Sequence, residues 1–411
     1  MPDCYYIRKI FDLPEYFVIT ECEESEGIIT IHITLERTAH HCPHCNVLTD
    51  KVHDYRKQRI QHAVVNNRPV YLLFKRRRYV CPNCGKRFYE DNHEVIRYQR
   101  HTSSFHMMIF DKLADRISVK NAAKQLSSSV SAVYRAMRQI SYPHPSSFPV
   151  IIAIDEFRGN IGEKFQCLLT DPVDNTILDV LPSRKPEELY AYFNQIPIEE
   201  RMKVKYIVMD LSPLFRSVMT AAFPKAEIIA DKFHVKRLFL WALESVRKDV
   251  QKKFSKTRRI YFKHSRTLLL KDYKNLTDEQ KQQLINMLDV APDLKIAYGL
   301  KELFNQFLES ETIQELAANY KKLVMDIEQA NIPVFTKCLK TINQWYHAIY
   351  LSITTGISNG YTEGQNNNIK VLKRISYGCR NFTYFRNRIM HIANNTPDKC
   401  QKRRTARQAI S

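Results

Sequence analysis

The hydrophobic pattern changes period along the chain, and each change predicts a different kind of element. Up to about residue 100, apolar and polar residues alternate in runs such as Ile28 to Leu35 and Val70 to Phe74, the signature of half-buried strands. Between about Phe105 and Ile140 the period becomes helical, and Ser141 to Pro149, rich in serine and proline, reads as a linker. From Val150 the apolar runs are short and continuous: Val150 to Ile154, Phe165 to Leu169 and Thr176 to Leu181 predict buried strands. Lys205 to Met209 and Glu227 to Ala230 predict two more, separated by a helix over Pro213 to Ala222 with Ser212 as its cap. Strands followed by helix and strand in turn predict an α/β core. After His234 the strands stop, and Leu, Lys, Glu and Gln at helical spacing to about Tyr350 predict a helical insertion before a final helix beginning near Tyr361.

The expected architecture is therefore multidomain, α/β and α. It comprises a β-rich module over 1–100, helices over 101–141, a linker over 142–149, the first part of the core over 150–235, the helical insertion over 236–355, a final core helix over 356–395 and a polar basic tail over 396–411. With 411 residues the chain exceeds the roughly 250 to 300 at which one hydrophobic core stops growing, in keeping with this division.

Charge narrows the class of partner. Lys and Arg number 63 against 43 Asp and Glu, a formal charge of +20, which favours polyanions such as nucleic acid, although solvated lysines give the same count. The first twenty residues carry acids and prolines where a signal peptide needs an apolar stretch, and no run of about 20 apolar residues appears, so a soluble cytoplasmic protein is expected.

Four of the ten cysteines form the pairs Cys42-Pro43-His44-Cys45 and Cys81-Pro82-Asn83-Cys84. A two-residue gap lets both thiolates of a pair reach one tetrahedral zinc, and the module offers little apolar sequence for a core, so structural zinc is expected at Cys42, Cys45, Cys81 and Cys84. His41 and His44 are alternative ligands. Arg76, Arg77, Arg78, Lys86 and Arg87 surround the second pair and are candidates for phosphate contact, or else a solvated strand face.

Ser118 to Met137 reads as a helix-turn-helix. Ala122, Ala123 and Leu126 form one apolar face, Ser127 to Ser129 the turn, and Val130, Val133, Tyr134 and Met137 the next face. The second helix offers Ser128, Ser131, Arg135 and Arg138 to DNA. A helical hairpin with a structural role has the same pattern.

The core carries the candidate chemistry. Asp155 follows the run Val150 to Ile154 and Asp210 follows Tyr206 to Met209, so both acids are expected at or just past the ends of buried strands. Two carboxylates converging there repel each other unless a divalent cation such as Mg²⁺ neutralises them. Either acid alone also fits a turn cap. In the final helix, about 100° per residue puts Glu363, Asn367, Lys370 and Arg374 on one stripe, an acid facing the same way as two cations.

The stretch Asn359-Gly360-Tyr361-Thr362-Glu363-Gly364-Gln365-Asn366-Asn367, continuing through Ile369-Lys370, Lys373-Arg374, Tyr377-Gly378, Asn381-Phe382, Phe385-Arg386 and Arg388-Ile389, resembles the bacterial insertion-sequence transposases of the ISL3 group. Ile154-Asp155-Glu156 and Met209-Asp210-Leu211-Ser212-Pro213 look like that group's first two acid motifs, and Asp231-Lys232-Phe233-His234-Val235 like a downstream element. Cys379 departs from the pattern, which has an aromatic residue after Tyr-Gly. The resemblance spans nearly the whole chain and implies a ribonuclease-H-like DDE catalytic domain with Asp155, Asp210 and Glu363 holding Mg²⁺ or Mn²⁺. It further implies Lys370, Lys373 and Arg374 against DNA, and Asp231 and His234 orienting a carboxylate or touching the cleaved strand. Terminal inverted repeats and target DNA are then the partners, with a homodimer or larger assembly joining two ends near the nucleoid. A catalytically inactive zinc-dependent DNA-binding regulator and a structure-selective nuclease are the competing classes. Trp241 and Trp345 are read either as core or as stacking partners for an unpaired base.

Overall fold

The computed structural model describes residues 4–90, 100–159, 161–264, 266–376 and 379–395. Tyr377, Gly378 and the basic tail over 396–411 lie outside them. By contacts the chain divides into two units, Met1–Tyr142 with Lys370–Ser411, and Pro143–Ile369. The segment 356–395, expected to belong wholly with the α/β core, is divided between them.

In the first unit a short helix α1 (Cys4–Ile10) precedes strands β1 (Phe17–Ser25), β2 (Ile28–Leu35), β3 (His40–His41), β4 (Leu48–Thr49), β5 (Val52–Val65), β6 (Arg68–Val80) and β7 (Arg87–Tyr89). Among the described residues the sheet runs β1-β2-β6-β5 with β7 also on β6, and β3 pairs β4 separately. The polar sequence of β5 is held extended by antiparallel pairing with β6 from Val52 to Val65. Alternate residues Val70, Leu72 and Phe74 of β6 are buried against Phe17, Ile31, Ile33 and Ile60. The module thus has a core of its own, contrary to the expectation from its composition, because one face of four strands supplies it.

Helices α2 (Ser103–Ala114), α3 (Val119–Gln125) and α4 (Val130–Met137) follow, each capped by a side chain at Thr102, Ser118 and Ser129. Phe105, Ile109, Ala122, Leu126, Val133 and Met137 form their shared core. Ser127, at φ 47°, takes the left-handed turn between α3 and α4.

In the second unit the strands β8 (Ile151–Arg158), β9 (Phe165–Asp171), β10 (Thr176–Leu181), β11 (Tyr206–Met209) and β12 (Glu227–Ala230) form a sheet in the order β10-β9-β8-β11-β12. The first three strands are antiparallel neighbours, and β11 and β12 run parallel to β8 and to each other. Helices α5 (Pro186–Phe193), α6 (Ile198–Arg201) and α7 (Pro213–Ala222) connect them. Ile152, Ile154, Ile207 and Met209 point to one face and are buried with Phe193, Phe215 and Met219. Ala153, Val208 and Ile229 point to the other, where Leu351 covers them.

A helical region follows as expected: α8 (Lys232–Lys252), α9 (Lys256–His264), α10 (Arg266–Leu270), α11 (Asp278–Asp289), α12 (Pro292–Leu308), α13 (Ile313–Ala330), α14 (Pro333–Gln344) and α15 (Tyr346–Thr355). Phe239 and Phe304 stack at its centre, ring centroids 3.8 Å apart. Helix α16 (Gly360–Ile375) begins in the second unit and ends in the first, to which α17 (Phe382–Asn394) also belongs. Its buried polar residues anchor α17 to backbone carbonyls, Arg386 donating to Tyr142, Asn387 to Ile140, Arg388 to Ile117 and His391 to Phe110. Among the described residues no helix is long and apolar enough to cross a membrane.

Candidate functional site

Asp155 lies inside β8 rather than at its end, paired with Leu168 of β9. The strand continues because Phe157 keeps the apolar alternation and is itself buried, which two adjacent acids obscure in the sequence. Asp210 directly follows β11, as expected. The parallel registers Val208↔Ala153 and Met209↔Ala230 then decide where the acids stand. Carried forward by one or two positions, they set Asp155 of β8 abreast of Asp210 and Asp231, which directly follow the adjacent strands β11 and β12. Residues abreast in a sheet share a face, here the one bearing Ala153, Val208 and Ile229.

Helix α16 contributes Asn359, just before it, with Thr362 and Asn366, whose spacing places all three on one helical face. Asn366 donates to Asp155 Oδ2 at 2.7 Å, the Thr362 hydroxyl meets that of Thr170 at 2.7 Å, and Asn359 donates to Asp231 at 3.4 Å. Glu363 is half-buried in the first turn, one turn before Asn366. Its carboxylate does not join Asp155 and Asp210 in a set of ligand atoms within 4.8 Å of one another. Lys370 and Arg374 are exposed further along the helix and Lys373 is half-buried.

The acid row is electrostatically costly as it stands. Burial pushes the Asp155 carboxyl up to about 6, and Asp210 and Asp231 push the same way against the Glu156 amide and His234. Asp210 is raised too, burial first, and its Oδ1 is buried with no hydrogen-bond partner. His234 donates to Asp231 at 3.0 Å, and this bond raises its pKa, helped by the charges of Asp155 and Asp210. Asp231 also caps α8 by accepting from the Phe233 amide. An unsatisfied buried carboxylate oxygen beside a second buried acid fits a divalent cation, which would replace the missing partner and remove the repulsion.

The four cysteines, by contrast, do form one group, their sulfur atoms all within 4.8 Å. Cys42 and Cys84 are 3.6 Å apart and Cys45 and Cys81 3.4 Å, close to the edge of about 3.8 Å in a tetrahedron with Zn–S of about 2.3 Å. The two knuckles repeat one backbone design. Asn46 and Gly85 donate to the carbonyls of Cys42 and Cys81, and Cys42 and Cys81 donate to those of Val47 and Lys86. Asn46 and Gly85 both have left-handed φ, 61° and 70°, a conformation that these two residue types tolerate. The Val47 amide holds the Cys45 thiol down to about 6, in the direction of the metal-binding thiolate. His41 and His44 are not in the group.

The basic residues near the knuckles divide. Lys86 and Arg87 are exposed. Arg77, expected against phosphate, is instead largely buried and paired at 3.0 Å with the fully buried Glu90, because a buried carboxylate requires a cation. Arg76 donates to the Glu90 carbonyl and lies over the Tyr89 ring, and Arg78 faces Asp54 at 3.5 Å. Around α4, Ser131, Arg135 and Arg138 are exposed and Ser128 is half-buried. Ser128 and Arg135 line a groove of about 710 Å³ with Arg59, Arg100, His101 and His106, four residues that sequence reasoning passed over because they are isolated in polar runs. Trp345 is buried, whereas Trp241 is 59 % exposed.

Comparison with known proteins gives a consistent result. Residues 152–389 match a DDE family of the ISL3 type described as "Transposase". Residues 38–107 match a family described as the zinc-finger of transposases of IS204, IS1001, IS1096 and IS1165. The chain is 26 % identical to a transposase for insertion sequence element IS1001 of Bordetella parapertussis, over 87 % of this chain and 90 % of that one. It is 23 % identical to a transposase for insertion sequence element IS1557 of Mycobacterium tuberculosis, over 56 % of each.

Proposed function

The chain belongs to the DDE transposases of the ISL3 group, and from that membership we propose that it cuts DNA at the terminal inverted repeats of an insertion sequence and transfers the freed ends to target DNA. The observation that carries this reading is the row of Asp155 and Asp210 in register on β8 and β11, with Glu363 on the helix that donates to Asp155. A mixed sheet of this order supports a ribonuclease-H-like core.

Asp155, Asp210 and Glu363 are the residues that would hold Mg²⁺ or Mn²⁺. A divalent ion held there would supply Lewis-acid chemistry, lowering the pKa of a bound water or 3′-hydroxyl and offsetting charge on the leaving oxygen. Asn366 fixes the Asp155 carboxylate for this task, and Asp231 with His234 braces the edge of the row. Lys370, Lys373 and Arg374 follow Glu363 on the same helix and hold the scissile phosphodiester. The zinc module and α3–α4, read as a helix-turn-helix, recognise the ends, with Arg76, Arg78, Lys86 and Arg87 on backbone phosphates and Ser128, Ser131, Arg135 and Arg138 at base edges of the DNA major groove. Two ends joined in one event call for a dimer or larger assembly on DNA, within the bacterial cytoplasm.

Asp155→Asn tests the reading on end-bearing DNA with Mg²⁺. Cleavage and strand transfer are expected to fall by about a thousandfold or more while end binding persists. Nicking by this variant at the native rate overturns the assignment.

A further inference from the structure

Between α3, α4, the end of α16 and α17 lies a cavity of about 250 Å³, walled by Val119, Val130, Met137, Ile375 and Phe385. All five belong to the first unit. Lys120 and Val130 line it and are exposed, so solvent reaches it. Its walls are apolar, yet Arg388 of α17 also lines it and is only 3 % exposed. The Arg388 Nη2 donates to the Ile117 carbonyl, but Nε is buried without an acceptor. A guanidinium keeps its charge, and a buried charge requires an opposite one. Arg77, buried in the same unit, has Glu90 for this purpose. Among the described residues the ionisable groups that act on Arg388 are Cys379 and Tyr134, and neither is a carboxylate. Burial pushes the Cys379 thiol up, which keeps it protonated, and its Sγ donates to the Asn381 carbonyl. The Ser376 hydroxyl oxygen, on the same lining, is a second buried polar atom with no partner.

We infer that this cavity binds a small carboxylate with an apolar body, the carboxylate accepting from Arg388 and Ser376 and the body filling the space between α4 and α17. The site goes beyond the proposed function and does not depend on it. An apolar cavity of about 150 Å³ already accepts benzene, so this one has room for a six-carbon chain with its carboxylate. DNA fits less well, because a duplex cannot enter a space of this size, and inorganic phosphate would leave the apolar walls uncovered. Occupancy would brace α3 and α4 against the end of α16, the helix that carries Glu363.

The full-length protein is titrated by calorimetry with hexanoate, with acetate, which lacks the body, and with hexanamide, which lacks the charge. Hexanoate is expected to bind with a dissociation constant of about 1 mM or tighter, and the other two about tenfold or more weakly. Arg388→Met keeps the bulk and removes the charge, and should bring hexanoate down to the level of hexanamide. Val130→Phe fills the cavity and leaves Arg388 in place, and should weaken hexanoate about tenfold. If Arg388→Met does not fold, Val130→Phe decides. Absence of hexanoate binding at about 10 mM, or equal affinity for hexanoate and hexanamide, overturns the site. So does an unchanged affinity in Val130→Phe, which leaves only adventitious anion binding on a chain of charge +20. Neither DNA nor cleavage enters the readout, so failure of Asp155→Asn to abolish cutting refutes the proposed function separately.

Discussion

The cysteine knuckles bring four sulfur atoms within 4.8 Å of one another, whereas the carboxylates of Asp155, Asp210 and Glu363 form no such group. Both sets are carried by rigid backbone, the first by paired turns at the ends of strands and the second by a sheet and the helix laid on it. The difference lies in the ligands. Thiols ordinarily ionise only above about pH 8 and lose their protons on binding a metal, so they repel little, while carboxylates are ordinarily charged above about pH 4 and repel one another, and Asn366 in addition holds Asp155. A closed set of four protein ligands suits a structural ion, and an open one leaves room for substrate.

Breaking the closed set should have the largest effect. Cys81→Ser, or removal of zinc by a chelator, is expected to destabilise the knuckles by several kcal/mol and to expose the knuckle amides of Cys42, Asn46, Cys81 and Gly85 in hydrogen exchange. Strand pairing around Val70, Leu72 and Phe74 should survive, since that cluster does not depend on the metal. Unchanged protection after chelation would leave the thiols without a structural ion.

The open set should respond to pH. Between its ordinary value of 3.8 and about 6, Asp155 holds a proton in the folded chain that the unfolded chain has released, so stability falls as pH rises through that window. His234 acts in the same direction, because its raised pKa gives stability that is lost as pH rises through the folded value. In the absence of divalent ions, thermal unfolding at pH 7 should show a deficit of up to about 3 kcal/mol relative to acid, relieved by Mg²⁺ and largely removed in Asp155→Asn. A flat profile in the native protein contradicts the buried ionised acid.

The smallest effect separates holding from ligation. Asn366→Ala removes a donor without removing an acid, and should reduce Mg²⁺-dependent cleavage or raise the Mg²⁺ requirement about 10- to 100-fold. Loss as complete as in Asp155→Asn would place Asn366 among the ligands themselves.

Much of the frame is legible from period and caps. Ile28–Leu35, Thr176–Leu181, Glu227–Ala230 and Pro213–Ala222 have the bounds that alternation, apolar runs and the Ser212-Pro213 start predict. Less legible are elements decided by partners distant in sequence. The run from Val52 to Val65 has too many charges to read as one long strand, and only pairing with β6 makes it one. Helix α17 buries Arg386, Asn387, Arg388 and His391, which amphipathic reasoning assigns to solvent, because carbonyls of the first unit receive them. At the candidate site the acids are visible in the sequence, but their alignment requires a register that no single strand contains. Arg77 is likewise one of three adjacent arginines until Glu90, thirteen positions away, singles it out.

The register of β8, β11 and β12 acts as a ruler. Peptide hydrogen bonds pair Tyr206–Val208 with Ile151–Ala153, and that register, carried two positions further, brings Asp155 and Asp210 abreast independent of which apolar residues fill the layer behind them. Ile152, Ile154, Ile207 and Met209 can therefore be exchanged for other shapes without moving the acids, while deletion of one residue within Tyr206–Met209 would turn Asp210 to the opposite face. The site is tolerant of substitution and intolerant of frame.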